Sequence, residues 1–362
     1  MSALPNPGLR CELVEGTEAL RALEPEWRQL YARTPEAYAA SGFEWCLSSA
    51  EALAVPDHVP VLCVVIRESG NPVLLWPWIL ERRKRLWREA TPLNGWIAGF
   101  PLPLVTSGGE AFGLIRIAME AIGTRCDLLR IPRVPDDSLL RSVLNARGGF
   151  ENIHQFRTSE VRFEEFPDWN QYRMSRQASE LRDLRRRRRR LLEAGAVTLE
   201  PVLETSRCPE AIDWILRHKR AWARTRDRAN PHLHTEGYRQ LFLRAAAARS
   251  SGEGTLVSTL ALEGRLIAGM ISQVDRARIG FLVSTYDPAY GRFAPGQLLF
   301  EDMIRWACER RLTAEFRIGG EAYKDAWVNR HGICRTVLGP AGAWGRSYFR
   351  FKSLLHRLGR KG

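Results

Sequence analysis

No stretch of this chain approaches the run of roughly 20 apolar residues that a membrane-spanning helix needs. Its best apolar segments, Val59–Ile66 and Pro72–Leu80, are short and read as buried strands. Met1 to Arg10 has no apolar core after a basic start, so no secretory signal is expected and the cytoplasm is the expected location. No C-x-x-C pair occurs among Cys11, Cys46, Cys63, Cys126, Cys208, Cys308 and Cys334, which argues against a disulfide framework or a zinc ribbon. Reduced core thiols are the expectation. The His232-x-His234 pair lacks a third ligand nearby in sequence, so no metal is expected.

A general basic coat is also missing, although the net charge is +13. Arg173–Arg190 holds nine arginines against Glu180 and Asp183, and Arg346–Gly362 holds six basic residues and no acid. These two segments account for the whole excess, and the rest of the chain is neutral. No nucleic-acid motif or aromatic-interleaved strand accompanies them, so nucleic acid is not the expected partner. In the tail, Phe351, Leu354, Leu355 and Leu358 form one stripe, with basic residues largely off it. A helix of that kind suits an anionic membrane surface or docks on its own protein.

What is present is a globular composition: 362 residues, 45% hydrophobic and 26% charged, with 12 Trp. That length favours two domains. The chain also repeats itself. Strand Pro60–Arg67, turn and strand Pro72–Leu80 are echoed by strand Leu256–Leu262, Glu263-Gly264 and strand Leu266–Val274. Leu20, Leu23, Trp27 and Leu30 recur at helical spacing before the first hairpin, and Ile212, Ile215 and Trp222 less regularly before the second. The expectation is an α/β (α+β) chain of two similar halves, each a mixed sheet flanked by helices. The halves are placed at 1–155 and 156–345, with a basic amphipathic helix at 346–362.

A linker is expected near Glu151–Pro167, with Asp168 as an N-cap, and a helix over Ser179–Glu193 striped by Leu181, Leu184, Leu191 and Leu192 and stopped by Gly195. Strand Ala196–Leu203 follows. Downstream, the pattern predicts strand Arg278–Tyr286, loop Asp287–Gly296, helix Gln297–Arg311, strand Ala314–Ile318 and helix Glu321–Asn329. A helix start after Pro295-Gly296 exposes backbone N–H groups and the positive dipole end, which suits a pyrophosphate; such a dipeptide can equally be punctuation.

Three runs, Tyr286-Asp-Pro-Ala-Tyr290, Ala294-Pro-Gly-Gln-Leu-Leu299 and Gly319-Gly-Glu-Ala-Tyr-Lys-Asp-Ala-Trp327, resemble the GNAT-type acetyltransferase domain of the cellulose-biosynthesis CelD-type family, distantly Fem-like. The Arg-rich helix, His218 before Trp222, Trp27, Phe43-Glu-Trp45 and Leu75-Trp-Pro77 fit the same resemblance. Of the superfamily's glycine-rich coenzyme A loop, only Arg292 and Gly296 match. The resemblance implies tandem GNAT-like halves and, in the second, an N-acyltransferase using acyl-CoA as co-substrate and a primary amine as acceptor. The acceptor would be a small amine or an amino-lipid such as a sphingoid base, at the inner membrane face. An amino sugar of an exported polysaccharide, a Fem-like aminoacyl-tRNA-dependent transfer and a non-catalytic scaffold are the competing expectations.

Within that frame the thioester lies between the strand ending near Tyr286 and the strand Ala314–Ile318. Val283, Ser284, Thr285, Arg292, Gly296, Gln297 and Leu298 are the candidates to hold the carrier. Glu321 is a candidate base or simply a helix cap, and His218 is a second candidate base or a structural histidine. Tyr323 or Tyr286 would protonate the thiolate. Lys324, Trp222 and Trp327 are the candidates to contact substrate, with Tyr323 and Trp327 also readable as core.

Overall fold

The computed structural model describes residues 8–83, 86–96, 99–176, 178–225, 231–249, 252–318, 322–342 and 344–349; for 96, 178–181, 231, 322 and 323 only the backbone is described. The chain divides into two compact units, Met1–Phe156 with Ile333–Gly362, and Arg157–Gly332.

In chain order the first stretch runs β1 (Leu9–Glu15), α1 (Thr17–Ala22), α2 (Glu24–Ala32), α3 (Phe43–Ser49), β2 (Val61–Glu68), β3 (Asn71–Arg83), β4 (Trp87–Pro92), α4 (Leu93–Trp96), β5 (Leu104–Val105), α5 (Ala111–Gly123), β6 (Leu128–Pro135) and α6 (Leu139–Arg147). Then come β7 (Glu151–Val161), α7 (Trp169–Met174), α8 (Ala178–Glu193), β8 (Val197–Glu200), α9 (Cys208–Thr225), α10 (Glu236–Ala247), β9 (Gly254–Leu262), β10 (Arg265–Val274), β11 (Arg278–Tyr286), α11 (Pro295–Glu309), β12 (Thr313–Ile318), α12 (Ala322–Asp325) and β13 (Arg330–Pro340).

The first unit's sheet has the order β1-β2-β3-β4-β6-β13, with β5 on the side of β3. Its pairs are antiparallel except β4–β6, which is parallel. Both faces are covered, so β2 and β3 are almost continuously apolar. Leu62, Val64, Ile66, Leu74, Trp76 and Trp78 face one way with α5 and α6, while Cys63, Val65, Leu75 and Ile79 face the other with Trp27, Leu30 and Phe43. The helical stripe Leu20, Leu23, Trp27, Leu30 is wholly buried. Each such side chain contributes about 1.5–3 kcal/mol relative to exposure.

The second unit's sheet has the order β8-β9-β10-β11-β12-β7, again antiparallel except for one parallel pair, β11–β12, at the matching position. The two units share one strand plan, as the repeat predicts. In each, the last strand is brought by a long excursion of the chain: β13 reaches β6 from near the C-terminus, and β7 reaches β12 from the very start of the second unit. The stretch expected as a linker is therefore largely strand. Its alternation of half-buried and exposed residues, with few apolar ones, conceals that. Asp168 does cap α7, accepting the Gln171 N–H at 2.9 Å.

Three expected elements differ in extent. The helix drawn over 321–329 is one turn, α12, because the chain then turns to bury Trp327 and Val328 before β13 starts. The strand drawn over 196–203 is confined to β8. On α8, Leu184 and Leu191 are buried but Leu192 is 59% exposed, so the apolar stripe is narrower than expected. Of the terminal basic helix, residues 344–349 are helical and the rest lies outside the described residues.

Candidate functional site

The second unit's sheet parts at one place. β11 and β12 pair over three rungs only, Arg278↔Thr313, Ile279↔Ala314 and Gly280↔Glu315. Beyond them β11 continues to Tyr286 beside β10, and β12 continues to Ile318. Both strands are irregular at the point of parting. On β11, Leu282 is an extra residue between Ile271↔Val283 and Ser272↔Phe281, a bulge that turns local backbone groups out of the ladder. On β12, Arg317 has a left-handed φ of +57°, and the β12–β7 register jumps from Glu315 to Ile318 around it. A left-handed conformation is costly for a non-glycine residue and persists where the surroundings impose it.

Those surroundings are charged and buried. The Arg317 guanidinium lies directly over Gly280, where any Cβ would run into it. It pairs with Glu315 at 3.2 Å and donates to Gln273 at 3.4 Å. Arg278 stands 3.6 Å from Asp275 and 4.0 Å from Glu315. Burial pushes the Glu315 carboxyl above its usual range, and Arg317 and Arg278 oppose that. No site role was expected of Glu315 or Arg317; an acid-x-Arg pattern inside a short apolar strand was the available signal.

Past β11 the chain makes a 3-10 turn, Pro288–Phe293, which Asp287 caps through the Ala289 N–H at 2.9 Å. Ala294, left-handed at φ +51°, then leads into α11, whose first turn has no side-chain cap. Pro295 brings no N–H. Gln297 and Leu298 N–H both reach the Ala294 carbonyl, at 2.9 and 3.1 Å. Gly296 N–H is thus the leading donor of this positive helix end. Gly296 is also needed for space, since its Cβ would sit 3.3 Å from the Tyr286 ring.

The carrier candidates Val283, Ser284 and Thr285 therefore lie on β11 beyond its last rung with β12, and Gly296, Gln297 and Leu298 form the start of α11. The Leu298 side chain is fully buried, so only its backbone takes part in that helix start. Arg292 is exposed, its guanidinium 4.7 Å from the Phe293 ring centre. Tyr286 is 41% exposed at the end of β11.

On the other face, α9 presses on β10 where Ile215 fills the space over Gly269, which is paired with Thr285. One turn on, His218 stacks on Trp214 at 3.9 Å, and its Nδ1 lies 2.9 Å from the Trp214 carbonyl. A carbonyl only accepts, so Nδ1 carries the hydrogen and Nε2 of the neutral ring is left as an acceptor. Lys219 donates to the Ser284 carbonyl at 3.2 Å and lies 4.1 Å from the half-buried Trp222 ring centre. His218 and Trp222 are thus brought near the far end of β11.

Lys324 and Trp327 are both buried, Trp327 as its core reading allowed. Lys324 is 6% exposed, and its ammonium donates to the Phe316 and Ile318 carbonyls at 3.2 Å each. Its charge supports β12 where the β11–β12 ladder has ended. Trp327 is 2% exposed, stacks on Trp169 at 6.4 Å, and accepts at its carbonyl from the Tyr172 hydroxyl, so it is core. Glu321 lies outside the described residues, and of Tyr323 the backbone alone is described, within α12. Among the described residues no group of His, Cys, Asp and Glu could hold a metal ion.

The arginine run on α8 is only partly a solvated face. Arg188 turns inward to Glu301 at 2.9 Å and Asp302 at 2.8 Å on α11, and Arg173 of α7 meets Glu301 at 2.7 Å. Arg187 pairs with Asp183 at 2.5 Å and donates to the Arg292 carbonyl at 3.3 Å. Arg182, Arg185, Arg186, Arg189 and Arg190 are exposed. The run anchors α11 on one side and leaves positive charge near the turn before it on the other.

Residues 178–325 match the family described as "Acetyltransferase (GNAT) domain". No curated protein sequence matches the chain. Among solved structures, FemX is similar with a TM-score of 0.64 at 10% identity, over 90% of this chain and 97% of that one. The C-terminal domain of a protein described as a lysylphosphatidylglycerol synthetase, from Agrobacterium fabrum, has a TM-score of 0.54 at 12% identity, over 93% and 96%. A tandem GNAT protein from the clavulanic acid biosynthesis pathway has 0.50 at 12%, over 92% and 99%. The fold is that of tandem GNAT-like units, and the second unit carries a GNAT acyltransferase domain.

Proposed function

We propose that the protein is an N-acyltransferase that moves an acyl group from acyl-CoA to a primary amine, with an amino-lipid as acceptor. The observation that carries this reading is the parting of β11 from β12 after Gly280↔Glu315, next to an uncapped helix start at Gly296. These residues fit a pantetheine thioester. The free edge of β11 offers backbone groups to an extended arm, and the α11 start offers an N–H and a dipole to its diphosphate, with Arg292 beside it. We assign Arg317 and Glu315 the part of a wedge at the base of the gap.

In the transfer, the amine nitrogen bonds to the thioester carbonyl carbon, the C–S bond breaks, the ammonium proton goes to a base, and the thiolate takes up a proton. Backbone N–H groups around the bulge at Leu282 and along Val283–Thr285 polarise the carbonyl. His218, with Nε2 as acceptor, and Glu321 are the candidates for the base; Tyr286 and Tyr323 are the candidates to protonate sulfur. Lys324, engaged by β12, keeps the strand in place.

A lipidic acceptor is supported by the basic, apolar-striped tail from Arg346. No described helix is long and apolar enough to cross a membrane, so contact would be peripheral. A second reading, an aminoacyl group delivered by tRNA, is favoured by the exposed arginines of α8. Thermal shift of the full chain with coenzyme A, a series of acyl-CoAs and aminoacyl-tRNA separates the two. Stabilisation by acyl-CoA alone is the expected result, whereas a response confined to tRNA would transfer the assignment.

A further inference from the structure

The second unit places a charged side chain on the open edge of β11, outside the motifs read from the sequence. Backbone N–H and C=O groups of a strand alternate between its two sides. Thr313 N–H reaches the Ala277 carbonyl at 2.9 Å and Asp275 N–H the Arg278 carbonyl at 3.0 Å. Before the bulge, then, odd-numbered residues face β12 and even-numbered ones face β10. The extra residue Leu282 reverses this alternation. Asp287 N–H accordingly reaches the Ile267 carbonyl, on the β10 side, at 2.9 Å. Ser284 therefore turns its N–H and its carbonyl toward the gap left by β12. The Lys219 ammonium sits 3.2 Å from that carbonyl, with the Trp222 ring centre 4.1 Å away.

We propose that Lys219 is a catalytic residue: its positive charge, together with the Ser284 N–H, stabilises the thioester oxygen as that oxygen becomes anionic. The inference deepens the acyltransferase reading and rests on it. Ser284 presents its N–H and its carbonyl on the same side, so an oxygen held by the N–H has the ammonium as a neighbour. When the amine bonds to the carbonyl carbon, the C=O electron pair moves onto that oxygen. The pair returns as the C–S bond breaks. The amine's proton goes to the base, the thiolate takes up a proton, and Lys219 keeps its own throughout. A fixed charge aimed at an oxygen that turns anionic only during reaction lowers the barrier more than it strengthens binding. Two grips fix this one, the Ser284 carbonyl and the face of Trp222. Its helix is held as well, since Ile215, one turn earlier, packs over Gly269. Lys219 is half-buried and open to a ligand in the gap, whereas Lys324 is 6% exposed against the Phe316 and Ile318 carbonyls.

The test is isotope-edited infrared spectroscopy of acetyl-CoA, labelled with ¹³C at the thioester carbonyl and bound to the full chain. Wild type should move the carbonyl band to lower wavenumber than in water, because a nearby positive charge polarises the C=O bond. Lys219→Met should lose most of that shift, and Lys219→Arg, which keeps the charge, should retain more of it. Calorimetry with coenzyme A, which has no thioester carbonyl, should give the same Kd for all three proteins and so shows that the variants keep their fold. A wild-type band position in Lys219→Met with coenzyme A still bound would overturn the proposal, because a lysine that merely props β11 leaves the carbonyl unpolarised. Loss of coenzyme A binding in both variants would also overturn it, making Lys219 a structural support of the strand. Failure of wild type itself to bind coenzyme A would instead remove the acyl-CoA reading, and this proposal with it.

Discussion

The two units share a strand plan, and they differ most where it parts. In the first unit the parallel pair β4–β6 holds two rungs, Glu89↔Leu128 and Ala90↔Leu129, and then the strands separate, as β11 and β12 do. Each unit also has a left-handed arginine on the inner parallel strand, Arg133 at φ +55° and Arg317 at φ +57°. In the first unit, however, the chain leaving β4 is tied back across the divergence. Arg133 donates to the Gly95 carbonyl, the Asn94 amide donates to Leu102 and Ser41, and Trp76 donates to Pro101 at 3.1 Å. Gly95 packs so closely on Pro101 that a Cβ would come within 2.7 Å. The helix after this divergence, α5, follows Glu110, an acid at the end where α11 has Ala294, Pro295 and Gly296. The first copy of the fold ties the chain across its gap with its own polypeptide, and the family match at residues 178–325 lies on the second, which is why the site is assigned there.

This contrast can be broken from either side. An acid at the α11 start should repel a diphosphate and crowd Tyr286. Gly296→Asp is therefore expected to raise the KM for acyl-CoA about a hundredfold (~2.7 kcal/mol), while Glu110→Ala in the first unit leaves it unchanged. Equal effects in both units would erase the distinction.

The anchoring of α11 gives the next largest effect. Glu301 is 6% exposed between Arg173 and Arg188, so Arg188→Ala strands part of a buried charge. Allowing for the partial exposure of Arg188, a loss of about 2 kcal/mol in denaturant unfolding is expected. Arg186→Ala on the same helix, whose guanidinium is exposed, should cost less than about 0.5 kcal/mol.

Glu315 gives a smaller, pH-dependent effect. Its folded carboxyl holds a proton to higher pH than the unfolded chain does, because burial raises it. Its contribution to stability is therefore complete below the ordinary glutamate value and is lost as pH rises through the folded value. The stability of wild type relative to Glu315→Gln should fall over that window and then level off. A flat difference would mean that Arg317 and Arg278 already hold the carboxylate charged. The smallest difference concerns the thiols. Burial pushes Cys126 up to about 12 and Cys334 up to about 11, so at pH 8 few of either are thiolate and alkylation of native protein should start at the half-buried Cys11.

How much of this could be read beforehand follows from the physics of each part. Hairpins β2–β3 and β9–β10 were legible because both faces are buried and the strands are nearly unbroken apolar runs. β7 was not, since its residues Glu151–Val161 are half polar and its partner β12 lies more than 150 residues away. The α11 start was legible from Pro295-Gly296. The left-handed turn at Arg317 was not, because it is imposed by tertiary packing around Gly280 and Glu315. Trp327 and Lys324 were legible as a motif, and Trp327 was also readable as core; the turn of Lys324 onto the β12 carbonyls was not legible.

The most direct measurement is hydrogen–deuterium exchange of the full chain with and without acetyl-CoA. The account predicts new protection in 281–286 and 295–300 and none in 89–96 or 108–114. Protection in the first unit's segments, or in neither set, would contradict it.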